Sequence, residues 1–217
     1  MATKHATKPD VTTNGSAITA TPPLRISLPQ FKLERFLVPI VGDSPLLMHN
    51  FSAKTQRVMI GKHEGIPREK KFSSPQEQFE DAKYLMPDGS GYAMPAIAFK
   101  KAAVSACSFV KDVTKVVARG MFHVDGQWVR INHEKEPVMR TDPVRLSGPG
   151  NTADIRHRPE FWPWSAEIPV TFNPSAVSAE QICYLFQWAG FSVGIGDWRT
   201  QKDGTFGRFH VKTDADG

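Results

Sequence analysis

A chain of 217 residues with 40% hydrophobic and 23% charged side chains is long enough to bury one core of ordinary size, and none of its apolar runs approaches the ~18 residues that a membrane span requires. Its two cysteines, Cys107 and Cys183, make no CxxC pair, so neither a disulfide framework nor a zinc site is expected, and without an apolar leader the expected compartment is the cytoplasm. A net charge of +5 is only modestly basic, so where the charge falls is more informative than its sum.

Residues 1–23 are rich in Thr, Ala, Lys and Pro, with no periodic apolar pattern. They are expected to form a disordered arm ahead of a single domain spanning 24–217. The stretch FKLERFLVPIVG (31–42) has strand composition, with Pro39 marking an edge or a bulge. Residues 44–62 carry a helical pattern through Met48, Phe51, Val58 and Met59, and 61–75 form a polar, basic connection. Ser74, Pro75 and Glu77 then spell a helix start with a capping box. After the turn at 87–90, GYAMP predicts a short strand and 95–110 a helix opened by proline. In that helix Ala96, Phe99, Ala103, Ala106 and Val110 share a face, and Lys100 and Lys101 point elsewhere. Residues 113–133 predict strand, turn and strand around Asp125-Gly126.

Residues 139–160 hold four Arg, no Lys, two Gly and three Pro with little aliphatic content, which predicts a long loop of the kind that usually serves a function. FWPWSAEIPVTF (161–172) predicts a strand with Trp162 and Trp164 on one face. Ser178 and Gln181 cap a helix that Gly190 should end. GIGDWRTQKDGTFGRF (194–209) follows and leads into a last strand. The resulting β…α…ββ…α…β skeleton predicts an α+β fold, a ferredoxin/RRM-like antiparallel sheet with helices on one face and long inserted loops, 139–160 being the Arg-rich insertion.

Catalytic motifs are absent: no Walker A, GxSxG or HExxH occurs, and the GxG at 194–196 lacks a third glycine and lies between helix and strand rather than strand and helix. No catalytic residue, cofactor or metal is assigned, because Asp142 and Asp154 have no third carboxylate in their segment. His157, between Arg156 and Arg158, and also His49, are the histidines with which a metal-independent ribonuclease could work; for His157 a place in an Arg-rich binding loop is preferred.

Binding is the stronger theme. Arg140, Arg145, Arg156 and Arg158 populate the insertion, and Arg199 and Arg208 the C-terminal stretch. The planar guanidinium fork grips phosphate in two places and stacks on bases. Trp162, Trp164, Trp198, Phe206 and Phe209 lie beside them, and an aromatic ring that stacks a base contributes roughly 1–3 kcal/mol. Trp198, set between glycines, either stacks a base or braces the loop. Gly194, Gly196, Gly204 and Gly207 would let backbone amides approach phosphate oxygens, with Arg199, Lys202 and Arg208 adding countercharge. Lys100 and Lys101 would add backbone contacts.

The order of terminal helix, G-x-G, basic residue and G-x-G-R-F, here GIGDWR (194–199) and GTFGRF (204–209), resembles the C-terminal glycine-rich loop of the RAMP superfamily, RRM-like CRISPR-associated proteins that form crRNA-binding backbones or process crRNA. Through PIVGDSPLLMHNFS, MPAIAFKKAAVSAC, TADIRHRPEF and GIGDWR…FGRF the chain also resembles a family of uncharacterised phage and prophage proteins. The RAMP resemblance implies oligomerisation along single-stranded nucleic acid and a thumb-like insertion, for which 139–160 is the candidate. The chain is shorter than larger members and lacks a His-Tyr-Lys set, which speaks against a processing nuclease. The expected function is therefore a non-enzymatic, sequence-tolerant single-stranded nucleic-acid-binding protein, phage-encoded and acting in the bacterial cytoplasm, that forms a homo-oligomer on RNA or DNA and contacts no membrane. A RAMP-type endoribonuclease and a phage structural or assembly protein are the alternatives.

Overall fold

The computed structural model describes residues 27, 30–50, 60, 63, 73–111, 113–145 and 153–214. The arm expected at 1–23 lies outside them, as does most of the helix expected at 44–62. Everything below concerns the unit Phe31–Gly217.

Strand β1 (Glu34–Gly42) lies at the centre of the main sheet. It alternates outward residues with buried Val38, Ile40 and Gly42, the period-2 signature of a half-buried strand. Nine residues of β9 (Trp164–Phe172) pair antiparallel on one side of it, three residues of β10 (Phe209–Val211) on the other, and β4 (Phe122–Val124) continues outside β9. The order is thus β10-β1-β9-β4, all antiparallel. Helix α2 (Ala96–Ala106) connects the first of these strands to β4, and α4 (Ala179–Ser192) connects β9 to β10. Counted along the chain, the strand order is 4-1-3-2 with a helical crossover in each half, which is the ferredoxin-like arrangement. The α+β expectation holds.

Burial explains the two crossovers. Ala96, Phe99, Ala102, Ala103 and Ala106 of α2 and Ile182, Leu185, Phe186 and Ala189 of α4 are buried at helical spacing. They meet the inward side chains Ile168, Val170, Phe172 and Phe209 in one core. Ser178 caps α4 as expected, but the helix runs through Gly190 to Ser192. Gly190 is required by close approach: a β-carbon there would collide with the Phe209 carbonyl. Pro39 is central rather than on an edge. The Lys212 N–H donates to the Pro39 carbonyl at 2.8 Å, so the proline nitrogen faces the β10 side one residue past that strand's end, where no ladder bond is lost.

Two smaller sheets complete the unit. β3 (Ala93–Pro95) pairs with β5 (Trp128–Arg130), and β2 (Leu46–Leu47), β8 (Ala153–Phe161) and β7 (Val138–Arg145) form a three-stranded ribbon. Helix α1 (Pro75–Asp81) has the expected capping box, with Ser74 and Glu77 bonded reciprocally.

Several expectations are corrected. Leu46–Leu47 are a strand on β8, not a helix start. Lys115–Met121 form helix α3, capped by the Thr114 hydroxyl on the Val117 N–H; burial of Ala118 and Met121 three residues apart outweighs the strand propensity of Val116 and Val117, which stay exposed. The Asp125-Gly126 turn makes no hairpin: β4 pairs with β9 and β5 with β3, so the turn hands the chain from one sheet to another. The described parts of the expected Arg-rich loop, 139–145 and 153–160, are paired strands, with eight cross-strand pairs from Val138↔Glu160 to Arg145↔Ala153; 146–152 lie outside the described residues. Nor do Trp162 and Trp164 share a strand. The chain turns between β8 and β9, leaving Trp162 exposed, while Trp164 is buried with its indole N–H donating to the Ser44 carbonyl at 2.8 Å. Among the described residues no helix is long and apolar enough to cross a membrane.

Candidate nucleic-acid interface

The glycine-rich connection from α4 to β10 folds back on itself. Gly194, Gly196 and Gly207 have φ of 70°, 77° and 62°, and Trp198 and Asp203 share the left-handed region. The glycine amides are committed inside the protein: Gly194 N–H donates to Ala189 O at 2.8 Å, Gly204 to Arg199 O at 3.2 Å and Gly207 to Pro45 O at 2.8 Å. The expected phosphate nest is therefore corrected for these three. Gly196 serves docking, since a β-carbon there would collide with the Leu47 carbonyl while the neighbouring Asp197 N–H donates to that same oxygen at 2.9 Å. The loop is thereby pressed onto β2.

A buried ionic cluster clamps the ribbon to this loop. Arg158 is 0% exposed and donates to Asp197 at 2.5 Å and Asp142 at 2.7 Å. Arg140 bridges Asp142 at 3.0 Å and Glu160 at 2.9 Å. Both guanidinium groups lie on aromatic faces, Arg158 at 4.5 Å from the Trp198 ring and Arg140 at 4.8 Å from Phe206. The register explains the grouping. Arg140↔Arg158 and Asp142↔Arg156 share one ribbon face, while Thr141↔His157 and Arg145↔Ala153 share the other.

Several expected phosphate contacts are corrected on this geometry. Arg158 and Arg140 hold carboxylates, and Trp198 braces the loop from beneath Arg158. His157 faces away from Arg156 and Arg158 and bonds Thr141 at 2.9 Å, so the Arg-His-Arg triplet does not converge on one ligand. Arg208 is not among the corrected contacts: it is half-buried, its main-chain N–H donating to the Ser44 hydroxyl and its carbonyl accepting from the Asp43 N–H, and these bonds do not engage its guanidinium. Lys100 turns inward between α2 and α3, donating to Ala118 O at 2.8 Å and to Phe122 O, with its ammonium 3.4 Å from the Phe122 ring centre.

Burial pushes the Lys100 ammonium down from 10.5 to about 8. The unfolded chain then holds the proton up to 10.5 while the native one releases it near 8, so native stability rises with pH across that window. Thermal melts from about pH 7 to 10 should show this rise in the wild type, and a flatter profile in Lys100→Met.

Four of the predicted residues, Lys101, Gly194, Gly196 and Arg199, do converge. A cleft of about 340 Å³ lies between the N-terminal turn of α2 and the glycine-rich loop. His49, Tyr84, Lys101, Asp197 and Arg199 line it, with Gly194 and Gly196 in its wall. Helix α2 follows Pro95, which supplies no side-chain cap; the Ala96 N–H is taken by the Gln127 carbonyl at 2.9 Å, and the rest of the first turn, at Ile97 and Ala98, lines the cleft with the positive end of the helix. Lys101 is exposed one turn on. Arg199 stands opposite, donating to Gly196 O at 3.2 Å and to Gln201 Oε1. The carboxylate of Asp197 is already paired with Arg158. His49 is exposed at the cleft mouth; desolvation by the surrounding protein first and Arg156 next hold it below its ordinary value, with Asp197 pulling the other way. Lys202 and Arg145 are exposed, on the short 3₁₀ turn Thr200–Lys202 and at the far end of β7. Tyr84 and the uncapped α2 turn were not anticipated; the signal available was a helix opening on Pro95 with no Ser, Thr, Asp or Asn at the cap.

The open face of the main sheet offers no stacking platform on its central strands. On β1 it presents Arg35, Leu37, Pro39 and Val41 and on β9 Ser165, Glu167 and Pro169, none of them aromatic, with His210 of β10 and His123 of β4 the rings at its flanks, whereas RRM domains stack bases on aromatic side chains on the central strands. Among the described residues no group of three or more His, Cys, Asp or Glu could hold a metal ion.

No family model matches the chain, and no curated protein matches it. In structure it is similar to Cmr6 from Pyrococcus furiosus. The two share 9% identity at a TM-score of 0.45, over 84% of this chain and 100% of that one. The fold assignment rests on the strand order itself, and the expected phage affiliation gains no support from these comparisons.

Proposed function

We propose that the protein binds single-stranded nucleic acid, RNA or DNA, in the cleft between α2 and the glycine-rich loop. The carrying observation is the convergence of Lys101, Arg199 and the uncapped start of α2 on one concave surface. Among the described residues the only carboxylate lining that surface, Asp197, is paired internally. Such a site attracts phosphate. About 340 Å³ is room for roughly one nucleotide. With no aromatic side chain on the open face of β1 or β9, recognition runs through the backbone and tolerates sequence. Arg156, beside His49, extends the positive track along the ribbon, and successive copies along one strand would oligomerise.

Photo-crosslinking of a thiouridine-substituted single strand, followed by peptide mapping, tests the placement. Crosslinks are expected within 84–101 and 194–201; crosslinks confined to other segments would overturn it.

One observation favours a second reading, cleavage of RNA: His49 lines the phosphate-attracting cleft and is held below its ordinary value, which makes it a candidate general base. In the binding reading, labelled RNA incubated in EDTA stays intact. Cleavage that disappears in His49→Ala would establish the nuclease instead.

A further inference from the structure

Among the described residues lining the cleft, Arg199 is the one arginine, and hydrogen bonds fix the loop around it. Its carbonyl accepts from the Lys202 N–H at 2.8 Å and from the Gly204 N–H at 3.2 Å. Two residues on, the Gln201 N–H donates at 3.0 Å to the carbonyl of Val193, the C-cap of α4. Trp198, just before Arg199, has φ of 49°, a region that a bulky side chain keeps only where its surroundings hold it there. The Phe206 N–H on its carbonyl at 3.2 Å and the Arg158 guanidinium over its ring supply that hold. The strained turn gives Asp197 to Arg158 and Arg199 to the cleft.

The guanidinium is held as closely as the backbone, but without loss of charge. Of its five N–H groups, the one on Nε and one on Nη2 donate to Gln201 Oε1 at 3.4 and 3.2 Å, and one on Nη1 donates to Gly196 O at 3.2 Å. Both acceptors are neutral. Arg140 and Arg158, by contrast, are met by carboxylates, which cancel their charge. Arg199 therefore keeps a full positive charge in a set orientation, with one N–H left on each terminal nitrogen. A planar pair of donors of this kind matches two oxygens of one phosphate. Gln201 is exposed, and among the described residues its side chain makes no other hydrogen bond. Core packing does not dictate where it lies; the arginine does.

We infer that Gln201 is a positioning residue: with the Gly196 carbonyl it orients Arg199 so that the two free N–H groups take both non-bridging oxygens of one backbone phosphate. The inference rests on the placement of the strand in this cleft. It adds what the cleft selects, a phosphate gripped at two oxygens rather than any diffuse negative charge.

Anisotropy titrations of a labelled single strand over a range of salt test it. Gln201→Met frees the fork but keeps the charge, so binding is expected to weaken roughly 3- to 10-fold with an unchanged salt slope. Gln201→Glu keeps an acceptor oxygen in place but cancels the charge, so affinity falls and the slope falls with it, by about 0.7. Arg199→Lys keeps the charge without the fork, and adding Gln201→Met to it should cost nothing further. Melting temperatures should not move, because the side chain of Gln201 is exposed. Wild-type affinity in Gln201→Met would overturn the positioning role. So would a full Gln201→Met effect in the Arg199→Lys background, which would mean that Gln201 touches the strand itself. A wild type that binds no single strand would instead overturn the cleft reading, and the role of Gln201 with it.

Discussion

Replacing Lys101 and Arg199 together with alanine is expected to weaken binding of a single strand by roughly 30- to 150-fold, at about 1–1.5 kcal/mol for each charge-assisted hydrogen bond to phosphate. Lys101 is exposed, and Arg199 bonds only within its own loop, to Gly196 O and Gln201. Neither reaches the ionic cluster under Trp198, so the melting temperature should change by only a few degrees. The salt dependence is diagnostic. Each phosphate that is no longer neutralised in a single-strand complex lowers the slope of log K against log salt by about 0.7, so the slope for the double variant should fall by about 1.4. Weaker affinity without a change of slope would mean that the loop had moved rather than that two phosphates had been released from their cations.

Arg158→Met should have the largest effect on stability of any ribbon substitution. Methionine keeps most of the stem's volume but strands Asp197 and leaves Asp142 with Arg140 alone. Removing one member of a buried ion pair typically costs about 3–5 kcal/mol, because the remaining charge is stranded. For a chain of this size that lowers the melting temperature by roughly 6–20 °C. Adding Asp142→Asn and Asp197→Asn to Arg158→Met should recover part of the loss, since the uncompensated charges then disappear. If Arg158→Met melts like wild type, the clamp between ribbon and loop is not what holds them. The same reasoning governs binding tests: Arg156→Ala is informative, whereas any variant that also removes Arg158 confounds recognition with folding.

Arg158 and Arg199 show where sequence reading succeeds and fails. They look alike in composition, each basic, beside aromatics and near glycine. What separates them is whether a carboxylate from a distant segment reaches the guanidinium first. Asp197 lies 39 residues from Arg158, and no local pattern reports that pairing. The ribbon was hidden for the same reason. Its inward face is built from Arg140, Asp142, Arg156, Arg158 and Glu160 rather than from aliphatics, so the alternation that reveals β1 and β9 is ionic there and reads as loop. Pro143 and Pro159 added to the disguise. Helix α3 was obscured by its valines, which chain composition assigns to strand and the Thr114 cap assigns to helix. By contrast, the two capped helices at 75 and 178, the alternating strands β1 and β9 and the α+β class were legible, because local chemistry and tertiary packing agree at those places. Of the site, His49, Lys101, Arg199, Gly194 and Gly196 were named from the sequence, but their convergence with Tyr84 on one cleft depends on how α2 and the glycine-rich loop meet.

The most direct test of the central claim is a fluorescence-anisotropy titration of labelled single strands of about 20 nucleotides and of the matching duplex, between about 50 and 200 mM salt. Saturable binding of single-stranded RNA or DNA, weaker binding of the duplex and affinity that falls with salt are the predicted results. No saturable single-strand binding at the lowest salt, or equal affinity for the duplex, would contradict the assignment of this cleft to single-stranded nucleic acid.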